Sequence, residues 1–235
     1  MTDVVVFDSA AELAGEVASR LGQRLQSVHG RDCNVVLTGG TLAAKIYAEM
    51  TPANGPWQQA HYWWGDERFV PAGHLDRNDK MAEDAFLDRL AVPVTNRHPM
   101  PAHGCEQSMA DAADEYGQSL PAEPFDVVLL GVGPDAHIAS LFPQHPQVTE
   151  TERKCVEVFD SPKPPPQRIT LTYPALNHSA AVWLVVSGAE KASAVAAAPG
   201  GASALDAPAA GATGMAETIW FLDRAAASQL SELRK

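Results

Sequence analysis

The feature that most constrains this chain is a rhythm. Short runs of β-branched and aromatic residues alternate with segments whose apolar residues recur at helical spacing. Residues 4–7, VVVF, read as a strand. Ser9 and Glu12 then form an S-x-x-E capping box, which satisfies the free N–H groups at a helix start. Leu13, Val17, Leu21, Leu25 and Val28 follow at helical spacing, which predicts a helix of about 18 residues. Residues 34–38 are the next strand, and Gly39-Gly40 opens a helix running through Ile46 and Met50. Residues 61–64 read as a buried strand, followed by a loop and a helix carrying Met81, Phe86 and Leu90. A helix over about 106–120 precedes the strand that begins near Phe125, and further strands are expected at 155–159, 168–171, 181–186 and 218–222. This βαβα order predicts an α/β fold: a three-layer αβα, mostly parallel Rossmann-like sheet with helices on both faces. The 235 residues fit one domain, residues 1–235, and require no second.

Two stretches break the rhythm. Residues 161–166, SPKPPP, should be stiff and extended, because each proline fixes its own φ and restricts the residue before it. They are either plain connection or a rigid arm that aims Arg168, and the adjacency favours the arm. Residues 192–214, rich in Ala, Gly and Pro, read as connection, part of it a mobile loop.

The net charge of −12 argues against nucleic acid or an anionic membrane as partner, so an anionic ligand would need a local cluster of cations. No apolar run approaches the roughly 20 residues of a membrane helix. Asp3, Asp8, Glu12 and Glu16 near the start argue against a secretory leader. Cys33, Cys105 and Cys155 are widely spaced and form no CxxC, so they read as reduced thiols. Together these features predict a cytoplasmic enzyme.

The chemistry gathers at strand ends, where open parallel sheets bind ligands. In FDVVLLGVGPDAHIASLFP, residues 125–143, an apolar run ends in a glycine-bounded turn that presents Asp135 and His137. His137 is a candidate general base, with Asp135 orienting the ring or supporting the loop. A helix starting at His137 would favour the neutral imidazole. The bland alternative is a satisfied structural histidine. No spacing among the other histidines suggests a metal site. Gly39, Gly40 and Thr41 stand between strand and helix, where backbone N–H groups can meet an anion; a tight turn alone would also explain them. In WWGDERFVP, Arg68 or the later Arg77 would contact a charged substrate, with Asp66 orienting it; a solvated ion pair is the alternative. Lys191, in the first turn of a helix, meets the positive end of the dipole, which is mildly unfavourable unless an anion is bound nearby; compensation by the acidic neighbour Glu190 is the bland alternative. Arg168 at a strand end either pairs with a carboxylate or joins the other cations.

These residues match a known pattern. GVGPDAHIASLFP resembles the G-x-G-x-D-G-H-x-A-S-L-F-P signature of 6-phosphogluconolactonases, keeping every specified position except the glycine, where this chain has Ala136. The resemblance continues through LTGG, WWGDERFVP with Asn78 and Met81, SPKPPPQRITLT, VSGAEKA and WFLDRAA, in the family's order over nearly the whole chain. Thr41-Leu42-Ala43 departs from the common S-T-P after the double glycine. The resemblance implies hydrolysis of 6-phospho-D-glucono-1,5-lactone to 6-phospho-D-gluconate in the oxidative pentose phosphate pathway. It implies His137 as base, and Gly39, Gly40, Arg168 and Lys191 around the phosphate, with Arg77 in reach. No metal or cofactor is implied, and the partner is a small sugar phosphate lactone bound by a monomer or small homo-oligomer. Two related readings stand beside it. In an amino-sugar-phosphate isomerase/deaminase the histidine loop typically continues A-F-N-E-P, whereas here it runs Ala139-Ser140-Leu141-Phe142-Pro143. A non-catalytic sugar-phosphate sensor would carry a DNA-binding segment before the first strand, which here begins at Val4.

Overall fold

In the computed structural model, which describes residues 2–28, 30–104 and 107–230, the alternating runs become a seven-stranded sheet. Its strands are β1 (Thr2–Phe7), β2 (Cys33–Leu37), β3 (Ala60–Trp64), β5 (Arg97–His98), β6 (Val127–Gly131), β9 (Ala181–Val186) and β10 (Glu217–Asp223). They lie in the order β1-β10-β9-β6-β2-β3-β5, and every pairing is parallel. Every residue of β2 and β9 is buried, which requires cover on both faces of the sheet. That is why β9 reads as an unbroken apolar run rather than an alternating one, and β2 as a run interrupted only at Asn34.

The helices are α1 (Ala10–Ser27), α2 (Thr41–Ala48), α3 (Asn78–Ala82, continued as a π turn over Glu83–Leu87), α4 (Met109–Ser119), α5 (Tyr173–Leu176) and α6 (Ala192–Ala197). α1 starts close to the expected capping box: the Ser9 hydroxyl accepts from Glu12 N at 3.2 Å, while the Glu12 carboxylate reaches one residue beyond the cap and accepts from Asp8 N at 2.9 Å. Its buried stripe is Leu13, Val17, Leu21 and Leu25 with Ala14, Ala18 and Gly22 between them. None of the described helices is long and apolar enough to cross a membrane. The expected thiol at Cys105, the start of the helix at Glu106, and His29 lie outside the described residues.

Two expectations change. β7 (Cys155–Val158) and β8 (Arg168–Leu171) do not join the parallel sheet. With β4 (Asp66–Arg68) they form a separate antiparallel sheet in the order β4-β8-β7. The physical reason is length: residues 159–167 between β7 and β8 are too few for the crossover of about a dozen or more that parallel neighbours need. Residues 192–214 are also more than plain connection. They hold α6 and a 3-10 turn at Pro208–Gly211, tied down by Tyr173 Oη donating to Pro208 O at 2.7 Å, Asn177 Nδ2 to Gly211 O at 2.9 Å and Ala209 N to Ala136 O at 2.9 Å.

Candidate active site

β6 sits at the switch point of the sheet. From it, β2, β3 and β5 extend to one side and β9, β10 and β1 to the other. The chain diverges there, leaving a crevice beyond the carboxyl ends of the strands. A cleft of about 330 Å³ fills that place, lined by Thr38, Gly39 and Gly40 after β2, Gly131, Val132, Gly133 and His137 at and after β6, and Lys191 after β9. The small sheet closes it with Asp66, Arg68 and Arg168, together with Asn78, Ala139, Lys163 and Pro164.

His137 lies in the loop after β6, with no helix behind it: the loop is pinned instead by bridges Val132↔Ile138 and Ile138↔Leu141 and by Gly133 N donating to His137 O at 2.9 Å. The expected helix dipole at His137 is therefore absent. A carboxylate orients the ring in its place, with Nδ1 2.5 Å from Asp135 Oδ1. Burial raises the Asp135 carboxyl, but the hydrogen bond from His137 and the charges of His137 and Lys163 outweigh it and hold it at about 2. An ionised Asp135 can only accept, so the His137 ring donates to it through Nδ1, and Nε2 is the nitrogen outside that bond. Ala136, where the signature has glycine, still adopts the left-handed conformation at φ 62°. The departure changes the residue and keeps the turn.

The cations surround this base. Arg168 is held by the prolyl segment: Nε donates to Pro165 O at 3.2 Å, and Nη2 donates to Lys163 O at 3.1 Å and Pro164 O at 3.2 Å. The stiff arm expected from SPKPPP thus grips the guanidinium with its own carbonyls. Arg68 and Arg168 are direct partners across the β4–β8 ladder. Like charges facing each other across a ladder are destabilising unless something negative intervenes. Lys163 Nζ lies 3.3 Å from His137 Nδ1 and 3.4 Å from Nε2. Burial pushes Lys163, Lys191 and Arg168 below their ordinary values, and in each case a neighbouring cation adds to the shift: Arg168 for Lys163, Lys163 for Lys191, Arg68 for Arg168. Four cations thus line one cleft of an acidic protein.

Beneath them runs a web of buried polar groups. Asp66 accepts from Ser140 Oγ at 2.6 Å, and its backbone carbonyl accepts from Asn78 Nδ2 at 2.9 Å. Asn78 Oδ1 in turn accepts from Arg68 Nη1 at 2.7 Å, and the Asn78 amide packs against Gly39, where any side chain would collide with it. Glu67 is buried, and its carboxylate caps the start of α3, accepting from Asn78 N at 2.8 Å and Asp79 N at 2.9 Å. Arg77 corrects the sequence reading. Its side chain is buried away from the cleft, with Nη2 on Asp79 Oδ2 at 2.6 Å and on Met100 O at 2.7 Å, so its donors are spent on structure. Thr41 lines an adjoining shelf with Arg68 and Pro165, not the cleft that holds His137. Sequence reasoning assigned no role to Lys163, Asn78 or Ser140, although all three fall inside motifs it quoted. The signal was their adjacency to residues already chosen.

The chain matches a family model described as glucosamine-6-phosphate isomerases/6-phosphogluconolactonase over residues 8–220. It is 45% identical to a 6-phosphogluconolactonase of Streptomyces coelicolor, covering 97% of this chain and 94% of that one. It is 43% identical to a 6-phosphogluconolactonase of Mycobacterium leprae, covering 97% and 98%. Among solved structures, the 6-phosphogluconolactonase of Trypanosoma brucei superposes with a TM-score of 0.82 at 25% identity, covering 98% of this chain and 99% of that one.

Proposed function

The chain belongs to the family of glucosamine-6-phosphate isomerases and 6-phosphogluconolactonases, and from that premise we propose that it hydrolyses 6-phospho-D-glucono-1,5-lactone to 6-phospho-D-gluconate. The observation that carries this reading is the juxtaposition of one imidazole, its Nδ1 anchored on Asp135, with four cations in a cleft of hexose phosphate size. The related isomerase chemistry asks for a further carboxylic acid on the histidine loop, where this chain has the apolar Leu141 and Phe142.

His137 Nε2 takes a proton from water as the water oxygen attacks the lactone carbonyl, C1. The carbonyl electrons move onto oxygen, and Lys163, 3.4 Å from Nε2, is placed to stabilise that charge. Collapse of the intermediate breaks the C1–O5 bond. The imidazolium returns its proton to O5, which leaves as the sugar hydroxyl, and the product carboxylic acid ionises. Gly39 and Gly40 N–H groups, Arg68, Arg168 and Lys191 hold the phosphate at the other end of the cleft. No nucleophilic side chain is required, because the ester is already activated by its ring and water is the nucleophile. The reduced thiols Cys33 and Cys155, both free and buried, support placement in the cytoplasm.

The test is hydrolysis of freshly generated lactone by the wild type and His137→Ala, each measured against the uncatalysed rate. A loss of about 10²–10⁴ in the variant is the expected cost of removing a general base. Near-full activity in a folded variant would remove His137 from the mechanism, and no acceleration by the wild type would sink the lactonase reading.

A further inference from the structure

Arg168 is the most constrained cation of the cleft, and one of its nitrogens stands apart. Nε and Nη2 are committed to the carbonyls of residues 163–165. Nη1 makes no hydrogen bond among the described residues, and the nearest anion, Asp66 Oδ2, is 3.8 Å away. That separation is too long for a hydrogen bond between an arginine and a carboxylate, which closes to about 2.7–2.9 Å when both are free to move. Something holds Asp66 back. Oδ2 is the atom bound by Ser140 Oγ at 2.6 Å, and Oδ1 faces Asn78 Nδ2 at 3.4 Å. Ser140 is fully buried and three residues beyond His137, and its own N–H is fixed by Thr170 Oγ1 at 3.1 Å, so its hydroxyl has little room to move.

We propose that Ser140 is a positioning residue whose hydroxyl holds the Asp66 carboxylate off Arg168 and so keeps Nη1 open for the phosphate of the ligand. The idea rests on the phosphorylated-substrate reading above. Without the hydroxyl, Oδ2 is a buried carboxylate oxygen with one donor left within reach, Nη1 of Arg168. The carboxylate closes on the guanidinium and competes with the phosphate for it. The same bond ties the loop of the base to the phosphate cations. Ser140 therefore governs affinity for the phosphorylated end of the ligand and leaves proton transfer at His137 untouched.

Inorganic phosphate is the probe, titrated calorimetrically into wild type, Ser140→Ala, Asp66→Asn and the double variant. Loss of one charge-assisted hydrogen bond predicts about tenfold weaker phosphate binding in Ser140→Ala. Asp66→Asn removes the carboxylate that Ser140 restrains, so it should bind phosphate at least as tightly as wild type, and the double variant should match Asp66→Asn. On the lactone, Ser140→Ala should raise KM about tenfold with kcat within twofold. Unchanged phosphate affinity in Ser140→Ala, an equal loss in both backgrounds, or a fall in kcat at constant KM would overturn the proposal. So would a wild type that binds no phosphate. If Ser140→Ala does not fold, Ser140→Cys, near-isosteric but a weak donor, decides in its place: weaker phosphate binding than wild type supports the proposal, equal or tighter binding ends it. Wild-type turnover is a separate readout. No lactone hydrolysis beside the expected phosphate pattern would overturn the lactonase reading and leave the role of Ser140 standing.

Discussion

A β-carbon built on Gly133 would lie 1.9 Å from His137 Nδ1 and 2.4 Å from Asp135 Oδ1, whereas one on Gly131 meets nothing closer than Thr38 Oγ1 at 3.7 Å. The two glycines of the G-x-G turn therefore have different duties. Gly131→Ala should fold with wild-type stability, since its new methyl makes ordinary contact. Gly133→Ala must push the imidazole off Asp135, because the loop backbone is pinned on both sides of it. Expected is a loss of activity comparable to His137→Ala, with circular dichroism unchanged. An active Gly133→Ala enzyme would show that the Asp135–His137 hydrogen bond is dispensable. At this scale the residues that gather in the cleft were largely readable in the sequence, because glycine, histidine and arginine at strand ends stand out there. Arg77 was misread for a physical reason. An arginine beside a loop looks the same in sequence whether it faces ligand or interior, and only packing shows that Asp79 and the Met100 carbonyl have taken its donors.

The small sheet shows what element-level reading misses. Strands β7 and β8 were expected near their observed bounds, yet their pairing was not, and β4 forms where a loop was expected. A strand pattern gives the faces of a segment and leaves its partner open. The pairing matters, since it sets Arg68 opposite Arg168 and hangs α3 on Glu67. Burial pushes the Glu67 carboxyl up to about 7, against the pull of Arg77 and the backbone N–H groups of Asn78 and Asp79. The ordinary value is 4.5. Between those limits the folded protein keeps a proton that the unfolded chain has released, so stability falls as pH rises. The contribution is full below about 4.5 and gone above about 7. Glu67→Gln cannot titrate. The unfolding free energy of wild type minus that of Glu67→Gln should therefore decline between pH 5 and 7 and level off beyond. Denaturant unfolding at pH 5, 6, 7 and 8 measures it. A difference that is flat or rises over that window would mean the three groups outweigh burial and Glu67 stays ionised.

At the scale of the whole molecule, the parallel sheet was readable because its strands are separated by helical segments long enough to cross over, and β6 falls at the switch point where a crevice must open. Charge works at this scale too, and there the molecule opposes its own site. The net charge is −12, while the cleft gathers Arg68, Lys163, Arg168 and Lys191. An approaching phosphate dianion feels the whole negative surface when the Debye length is about 30 Å, at 0.01 M salt, and chiefly the nearby cations when it is about 10 Å, at 0.1 M. Moderate salt thus screens the distant repulsion more than the local attraction. The expected outcome is that kcat/KM rises a few-fold from 0.01 to 0.1 M sodium chloride and falls only at higher concentrations, where chloride competes for the cations. Initial rates on the lactone across that series would read it directly. A decline from the lowest salt onward would mean that the cleft's own field already dominates at long range, and that the acidic surface has no part in substrate capture.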